Sequence, residues 1–230
     1  MALCHSIIVE NKNGEISYNA SSPDELALVN AAKYFGVEFA ERTEDNYMII
    51  KYNGETLKYK LLNIFEFNSD RKRMSVIIKD QNDNIKLICK GADSVIFKRS
   101  NTDSYYTQRY ISQQLERFGK KGLRTLILAQ KNLSKEEYKS LAKDIIKAYA
   151  SPSYKKELLT KCYENTEKDM EIIGATAIED CLQDNLVPTL TAFRQIGIKV
   201  WMLTGDHPYT AVSIAHSCGL IDSSFHSIII

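Results

Sequence analysis

The stretch Ile64–Asp93, IFEFNSDRKRMSVIIKDQNDNIKLICKGAD, decides how this chain folds. It holds two short runs rich in β-branched residues, Met74–Lys79 and Ile85–Lys90, with a polar segment between them. Such runs on either side of a turn predict two strands joined as a hairpin. Gly91 follows the second run directly, and a glycine there would permit a tight backbone turn beside Lys90.

The same stretch carries side chains that suit a nucleotide. Phe67 and, after it, the cations Arg71, Lys72 and Arg73 precede the first strand, and Lys90 ends the second strand. An aromatic face near a cationic cluster fits an aromatic base that carries phosphates. Each part alone has an ordinary explanation: a core phenylalanine, a charged strand edge that discourages aggregation, and a lysine at a turn.

The preceding residues predict a helix. Ser22, Pro23 and Glu25 match an N-cap, a first helical position and the third position of a capping box, and Gly36 marks the end. This device needs no ligand to explain it.

Further strands are predicted between this helix and the hairpin. Val37–Phe39, Tyr47–Tyr52 and Thr56–Phe65 read as strands, and Asn53-Gly54 is a hairpin turn. With the apolar residues 2–9, which periodicity leaves open between helix and strand, they predict an antiparallel sheet of about five or six strands.

The middle of the chain continues this α+β pattern. We expect a helix over residues 104–118, a strand over residues 123–129, and a helix to Tyr149 that begins at the capping box of Ser134 and Glu137. A charged helix over residues 154–166 follows, and a solvated face is its simplest explanation.

The pattern changes from Met170 onward. Ile172–Ile178 predicts an apolar strand, Leu186–Ile196 a helix, Ile198–Leu203 a second buried strand, and a last helix runs to Cys218. Alternating strands and helices predict a parallel α/β unit, whose strand ends favour phosphate and metal chemistry.

Composition limits the classes of function. The 230 residues carry a formal net charge of +1, which argues against a nucleic-acid partner, and the 44% hydrophobic content is enough for a core. The five cysteines are scattered without CxxC spacing, so we expect a reducing compartment and no structural metal. No apolar run approaches the ~20 residues of a membrane helix, which predicts a soluble chain.

FNSDRKRMS followed by KGAD resembles the nucleotide-binding domain of P-type ATPases, and the RKRMS wording is closest to the lipid-flippase (type IV) subfamily. KVWMLTGD, preceded by IEDCLQ, is similar to the second half of the P-type phosphorylation domain, a haloacid-dehalogenase-like (Rossmann-like) fold. The resemblance implies a nucleotide-binding domain over residues 1–169, with an antiparallel sheet flanked by helices, and a partial α/β phosphorylation domain over residues 170–230.

The resemblance also implies site residues. Phe67 would stack on the adenine with Met74 beside it, and Glu25 would face the base. Lys90 and Arg124, the latter in GLRTL, would hold the phosphates, which a planar guanidinium binds two oxygens at a time. The catalytic candidates, which would approach the transferred phosphoryl group, are Thr204, Gly205 and Asp206, and Asp180 matches the interdomain hinge.

Two departures from the family pattern stand out. The phosphorylated Asp-Lys-Thr-Gly-Thr motif and the Gly-Asp-Gly-x-Asn-Asp metal site do not occur in these residues, and His207 stands where flippases usually have lysine. We therefore expect the chain to be a cytoplasmic segment of a longer integral membrane protein, which binds ATP but does not hydrolyse it alone.

The function implied for the parent protein is phospholipid translocation. ATP with Mg²⁺ would phosphorylate an aspartate, the lipid would cross through membrane helices that this chain lacks, and an accessory membrane subunit is a possible partner. The alternative is a non-catalytic flippase-like regulatory module fused to another activity, such as a nucleotide cyclase.

Overall fold

A computed structural model describes residues 1–12, 15–101, 105–179, 182–204 and 208–221. By contacts between Cα atoms the chain divides into two units, residues 1–108 with 126–174 and residues 109–125 with 175–230. The predicted domain boundary between residues 169 and 170 stays a prediction.

The first unit is built on an antiparallel sheet. Within the described residues the strands follow one another in chain order across a seven-stranded sheet, and the first six pair antiparallel with their neighbours. The strands are β3 (Val37–Arg42), β4 (Tyr47–Tyr52), β5 (Glu55–Asn68), β6 (Arg73–Lys79), β7 (Ile85–Gly91), β8 (Arg124–Leu133) and β9 (Glu171–Ile178); β1 (Ile8–Lys12) and β2 (Glu15–Asn19) form a separate hairpin. The predicted α+β fold of this part is confirmed.

Helices fill most of the remaining described chain. They are α1 (Pro23–Tyr34), α2 (Asp93–Ile96), α3 (Tyr105–Lys120), α4 (Lys135–Tyr149), α5 (Lys155–Thr166), α6 (Leu186–Gln195) and α7 (Pro208–Ser217), with short 3-10 turns at Phe97–Arg99 and Pro152–Tyr154. None of the helices in the described residues has the length and apolar character needed to cross a bilayer.

The prediction that the opening stretch joins the main sheet is wrong. Among the residues that the structure describes, β1 pairs only with β2. Strand β2 was not predicted. The residues just before β1 pack instead over one face of the main sheet, where Ala2, Cys4 and Ile7 are buried in the core. Their apolar side chains are buried without adding a strand to the ladder.

The main sheet is covered on both faces. On one face the N-terminal segment and α1 pack over Phe39, Met48 and Val76. On the other face α5 packs over β5, where the rings of Phe65 and Tyr163 stack at 4.0 Å. A sheet buried on both faces explains why every residue from Arg73 to Ile78 is buried.

The two predicted capping boxes have different outcomes. At α4 the Ser134 hydroxyl accepts the Glu137 N–H, and the Glu137 carboxylate accepts the Ser134 N–H, as predicted. At α1, Ser22 occupies the N-cap but makes no side-chain cap hydrogen bond, so that prediction is wrong. The Glu25 carboxylate is bound elsewhere, to Ser6 and Lys90.

A β-bulge separates two faces near the end of β5. Phe65 pairs with Ser75 and Asn68 pairs with Arg73, so three residue steps on β5 oppose two on β6. Cross-strand partners share a face of the sheet, and successive residues alternate between faces. Phe67, next to Asn68, therefore lies on the face opposite Arg73, the face of Met74.

The second unit contains α6 and α7. Arg194 in α6 donates to the carbonyls of Gly219 and Leu220, which follow α7. The predicted strand Ile198–Leu203 is wrong: these residues form no ladder in the described chain, and the side chains of Trp201 and Leu203 are exposed. A buried strand requires neighbouring strands for its backbone groups, so the predicted haloacid-dehalogenase-like unit is not shown.

Candidate functional site

A buried ion pair joins α1 to β7. The Lys90 Nζ lies 2.6 Å from the Glu25 Oε1, and both side chains are at least 90% buried. Ser6 donates its backbone N–H and its hydroxyl to the second oxygen, Oε2, at 3.0 and 2.6 Å. Three donors therefore hold one carboxylate, and residues separated by 19 and 65 positions meet at one point.

The charge state of this pair follows from its contacts. Burial raises the pKa of the Glu25 carboxyl, but the hydrogen bonds from Lys90 and Ser6 outweigh burial, so the pKa lies below its ordinary value. At neutral pH the site thus presents a carboxylate bound to an ammonium group. Each group retains hydrogen-bonding capacity beyond this one contact, because a carboxylate accepts several bonds and an ammonium donates three.

Two further predicted residues lie on the face of this pair. Met74 is the cross-strand partner of Lys90 and is buried, with its carbonyl 3.7 Å from the Cys4 Sγ. Phe67 is placed on the same face by the bulge in β5, yet its side chain is 66% exposed. Phenylalanine side chains beside a core are usually buried. Because the Phe67 ring is instead exposed, a ligand can reach it.

Gly91 has a role different from the predicted one. It is the last residue of β7 rather than a turn residue, and it does not have a positive φ. A Cβ at this position would lie 2.8 Å from the Lys72 carbonyl oxygen and 2.6 Å from the Arg73 Cβ. Glycine is required here because β6 and the turn before it approach β7 closely.

The turn before β6 has a defined shape. Lys72 adopts a left-handed conformation with φ of 50°, donates its N–H to the Asn68 carbonyl, and accepts the Ala92 N–H at its own carbonyl. The residues between Phe67 and Arg73 are therefore bound on both sides, to β5 and to the end of β7.

The remaining predicted residues fall in the second unit or outside the described chain. Arg124 is the first residue of β8 and Thr204 is exposed before α7; both belong to the second unit. Gly205 and Asp206 lie outside the described residues, as do Asp180 and His207. The structure thus brings together Glu25, Met74 and Lys90, and the register of β5 places Phe67 on the same face of the sheet. The roles of all these residues stay predictions.

Sequence reasoning missed two sets of partners. Ser6 holds Glu25, and Glu167 binds Arg71, Arg73 and Ser75 on the opposite face of the sheet. No local pattern indicates either contact, since a serine before a strand and a glutamate after a charged helix are ordinary residues. Only the packing of distant elements identifies them.

His5, beside this site, should make the fold sensitive to acid. Its Nδ1 accepts the Ile7 N–H and its Nε2 lies 2.9 Å from the Ala2 carbonyl, contacts that suit the neutral ring. Burial lowers the pKa of His5 from 6.5 to about 4, against the raising effect of the Ala2 carbonyl. The unfolded chain therefore takes up this proton at higher pH than the folded chain.

The free energy of unfolding should consequently fall as the pH drops from 6.5 towards 4. The full loss is about 3 kcal/mol, by linkage. In urea unfolding, the free energy of unfolding of His5→Gln should depend less on pH than that of the wild type. The comparison is made above pH 4.5, the ordinary pKa of Glu25, because protonation of that carboxyl adds its own pH dependence below this value. His216→Gln, at an exposed histidine, serves as the control and should keep the wild-type slope. An unchanged slope in His5→Gln contradicts this account.

Comparison with known proteins defines the class. Residues 1–185 match the family model for the P-type ATPase cytoplasmic domain N, so the chain belongs to this family. The resemblance that we inferred from FNSDRKRMS and KGAD is confirmed.

Named relatives refine the class. The chain is similar to "Phospholipid-transporting ATPase IC" of Homo sapiens (42% identity) and of Xenopus tropicalis (41%), and to "Probable phospholipid-transporting ATPase 12" of Arabidopsis thaliana (40%). These alignments cover 96%, 96% and 100% of this chain but 18%, 18% and 20% of the relatives. The chain thus spans about a fifth of the length of the curated relatives it matches.

Proposed function

We propose that this chain is the ATP-binding part of a phospholipid-translocating P-type ATPase. The observation that carries the proposal is the cluster of Glu25, Lys90 and Met74 beside the open Phe67 ring, on one face of a domain N sheet. An aromatic face above a buried polar pair suits a base that stacks on one side and forms hydrogen bonds at its edge.

Within this proposal the base stacks on Phe67 and packs near Met74. Glu25 accepts a hydrogen bond from the base with the capacity that Ser6 and Lys90 leave free. Arg124 binds phosphate oxygens, a function for which its planar guanidinium is suited.

The ion pair changes where Lys90 is expected to act. Sequence reasoning predicted a phosphate contact, but the Lys90 Nζ lies 2.6 Å from Glu25, the proposed base contact. Because the Lys90 ammonium group lies this close to Glu25, we place it beside the adenine base of ATP and not beside the phosphates. We therefore propose that Lys90 orients Glu25 and the base edge, and that Arg124 is the main phosphate contact within this chain.

The phosphoryl end of the reaction involves further residues. Thr204, Gly205 and Asp206 would meet the transferred phosphoryl group, which the parent enzyme would pass to an aspartate of a motif absent from these 230 residues. Mg²⁺ would arrive bound to the ATP phosphates. No group of three His, Cys, Asp or Glu side chains that could hold a metal ion occurs in the described part of the chain.

The parent protein would couple this nucleotide site to lipid transport. Its membrane helices would carry the phospholipid, an accessory membrane subunit could join them, and this chain would lie on the cytoplasmic side. The names of the relatives and the description of the matching family support this placement.

The purified chain is expected to bind ATP without hydrolysing it. Isothermal titration should give a saturable heat with ATP, because the proposed base and phosphate contacts are present. Release of inorganic phosphate should stay at the level of a heat-denatured sample, because the aspartate nucleophile is absent. Absence of saturable binding would refute the proposed function, and phosphate release above the denatured control would refute the account of catalysis.

A second candidate function is a non-catalytic regulatory module. His207 replaces the lysine usual in flippases, and a mostly neutral histidine offers less positive charge to a phosphate. Restoring the lysine tests the first candidate: because residue 207 follows the residues proposed to meet the transferred phosphoryl group, His207→Lys should raise turnover in a parent protein that contains the Asp-Lys-Thr-Gly-Thr motif. A parent without that motif would favour the regulatory module.

A further inference from the structure

A second charged cluster lies on the opposite face of the sheet. The Glu167 carboxylate, fully buried at the end of α5, accepts hydrogen bonds from Arg71 Nη2 at 2.5 Å and Arg73 Nε at 2.6 Å. The Ser75 hydroxyl donates to the same carboxylate at 2.5 Å. One side chain therefore binds three alternate residues of the RKRMS stretch.

The cluster also holds the end of β5. Arg71 donates to the Glu66 carbonyl at 2.7 Å, and its guanidinium lies 5.0 Å from the centre of the Tyr163 ring. Arg73 donates to the Arg71 carbonyl at 2.9 Å. The turn between Phe67 and β6 is thus bound to α5 by side chains that are more than 90% buried.

The alternation of β6 links this cluster to the proposed nucleotide site. Arg73 and Ser75 point towards Glu167, and Met74 between them points to the face of Lys90. A shift of β6 by one residue would exchange the two sets of side chains. Contacts made by Arg73 and Ser75 therefore determine where Met74 and the neighbouring Phe67 lie.

We propose that Glu167 is a positioning residue for nucleotide binding. It binds Arg71, Arg73 and Ser75 behind the sheet, and so keeps Phe67 and Met74 in the geometry that receives the base. This inference rests on the proposed function. Glu167 touches no ligand in this account and acts only through the turn and β6.

The charges of the cluster suggest a variant that should still fold. Two guanidinium groups face one carboxylate, and Arg71 Nε and Arg73 Nη2 have no hydrogen-bond partner among the described residues. Arg73→Met fills a similar volume and leaves Arg71 and Glu167 as a matched pair. Loss of Glu167 would instead leave two buried cations uncompensated, so Glu167→Gln is the riskier variant.

The experiment measures the dissociation constants for ATP and adenosine by isothermal titration in the full chain. Arg73→Met should raise both constants about tenfold, within the range of coupling between contacting residues, because the base site is distorted. In a Phe67→Ala background the same change should alter either constant less than about twofold, since the ring to be positioned is absent. Glu167→Gln, if folded by circular dichroism, should show the same pattern.

Arg99→Met is the matched control. Arg99 lies near this cluster but pairs with Glu164 at 3.6 Å rather than with Glu167, so both constants should stay at wild-type values. Unchanged ATP affinity in Arg73→Met, or an equal loss with and without Phe67, would overturn the positioning role while ATP binding by the wild-type chain stands. A wild-type chain that binds no ATP would instead refute the proposed function.

Discussion

Replacing Glu25 with alanine should lower the free energy of unfolding by roughly 3–5 kcal/mol, the cost of breaking a buried ion pair by removing one partner. The Lys90 ammonium would remain beneath α1 without its carboxylate, and the Ser6 N–H and hydroxyl would lose their acceptor. For a domain of ordinary stability this loss is a large fraction of the total. Urea unfolding at neutral pH measures it directly.

Glu38→Ala is the matched control for this prediction. Glu38 pairs with Lys33 at 2.8 Å, a distance similar to that of the buried pair, but both side chains are partly exposed. An exposed pair contributes about 0–1 kcal/mol, so the control should unfold close to wild type. Equal destabilisation by the two substitutions would show that burial of the Glu25–Lys90 pair does not determine its importance.

Phe67→Ala and Arg124→Gln should weaken nucleotide binding in different ways. Phe67→Ala should weaken the binding free energies of ATP and of adenosine equally, by about 1–3 kcal/mol, the range for base–aromatic stacking. Arg124→Gln should weaken the binding free energy of ATP by roughly 1.5–3 kcal/mol, the range for hydrogen bonds to charged groups. The affinity for adenosine, which has no phosphate, should stay unchanged. Titration of each variant with both ligands separates base contacts from phosphate contacts.

One control and one further test accompany this comparison. Arg117→Gln changes an exposed arginine of α3 and should alter neither affinity. Lys90→Gln tests the revised role of the lysine, because a group that acts at the base end should affect ATP and adenosine alike. If Phe67→Ala leaves both affinities at the wild-type value in a folded protein, the nucleotide site is elsewhere.

Sequence patterns correctly predicted a turn, a helix cap and a hairpin whose contacts join residues close together in the chain. Asn53-Gly54 predicted a tight hairpin, and both residues have positive φ in the turn between β4 and β5. The capping box at Ser134 formed through contacts within the first turn of α4, where Glu137 and Ser134 bind each other's backbone N–H groups. The hairpin of β6 and β7 agrees with the predicted strands to within one residue.

Predictions failed where tertiary contacts compete with local ones. Glu25 has the sequence position of a capping-box residue, but its carboxylate is bound to Ser6 and Lys90, whose positions depend on the packing of the N-terminal segment against β7. The apolar run Ile198–Leu203 has the composition of a buried strand, but a strand also needs neighbours for its hydrogen bonds. Composition alone does not supply them.

The sequence by itself determined the family, the antiparallel hairpin at its centre and the residue types of a nucleotide site, because motif wording and strand patterning are properties of short segments. The tertiary structure alone decided how those residues are arranged. The bulge in β5 turns Phe67 to the face of Met74, and the sheet brings Lys90 to Glu25. Glu167 reaches Arg71 and Arg73 from 96 and 94 residues away, and the only physical basis for that contact is the packing of α5 on the sheet.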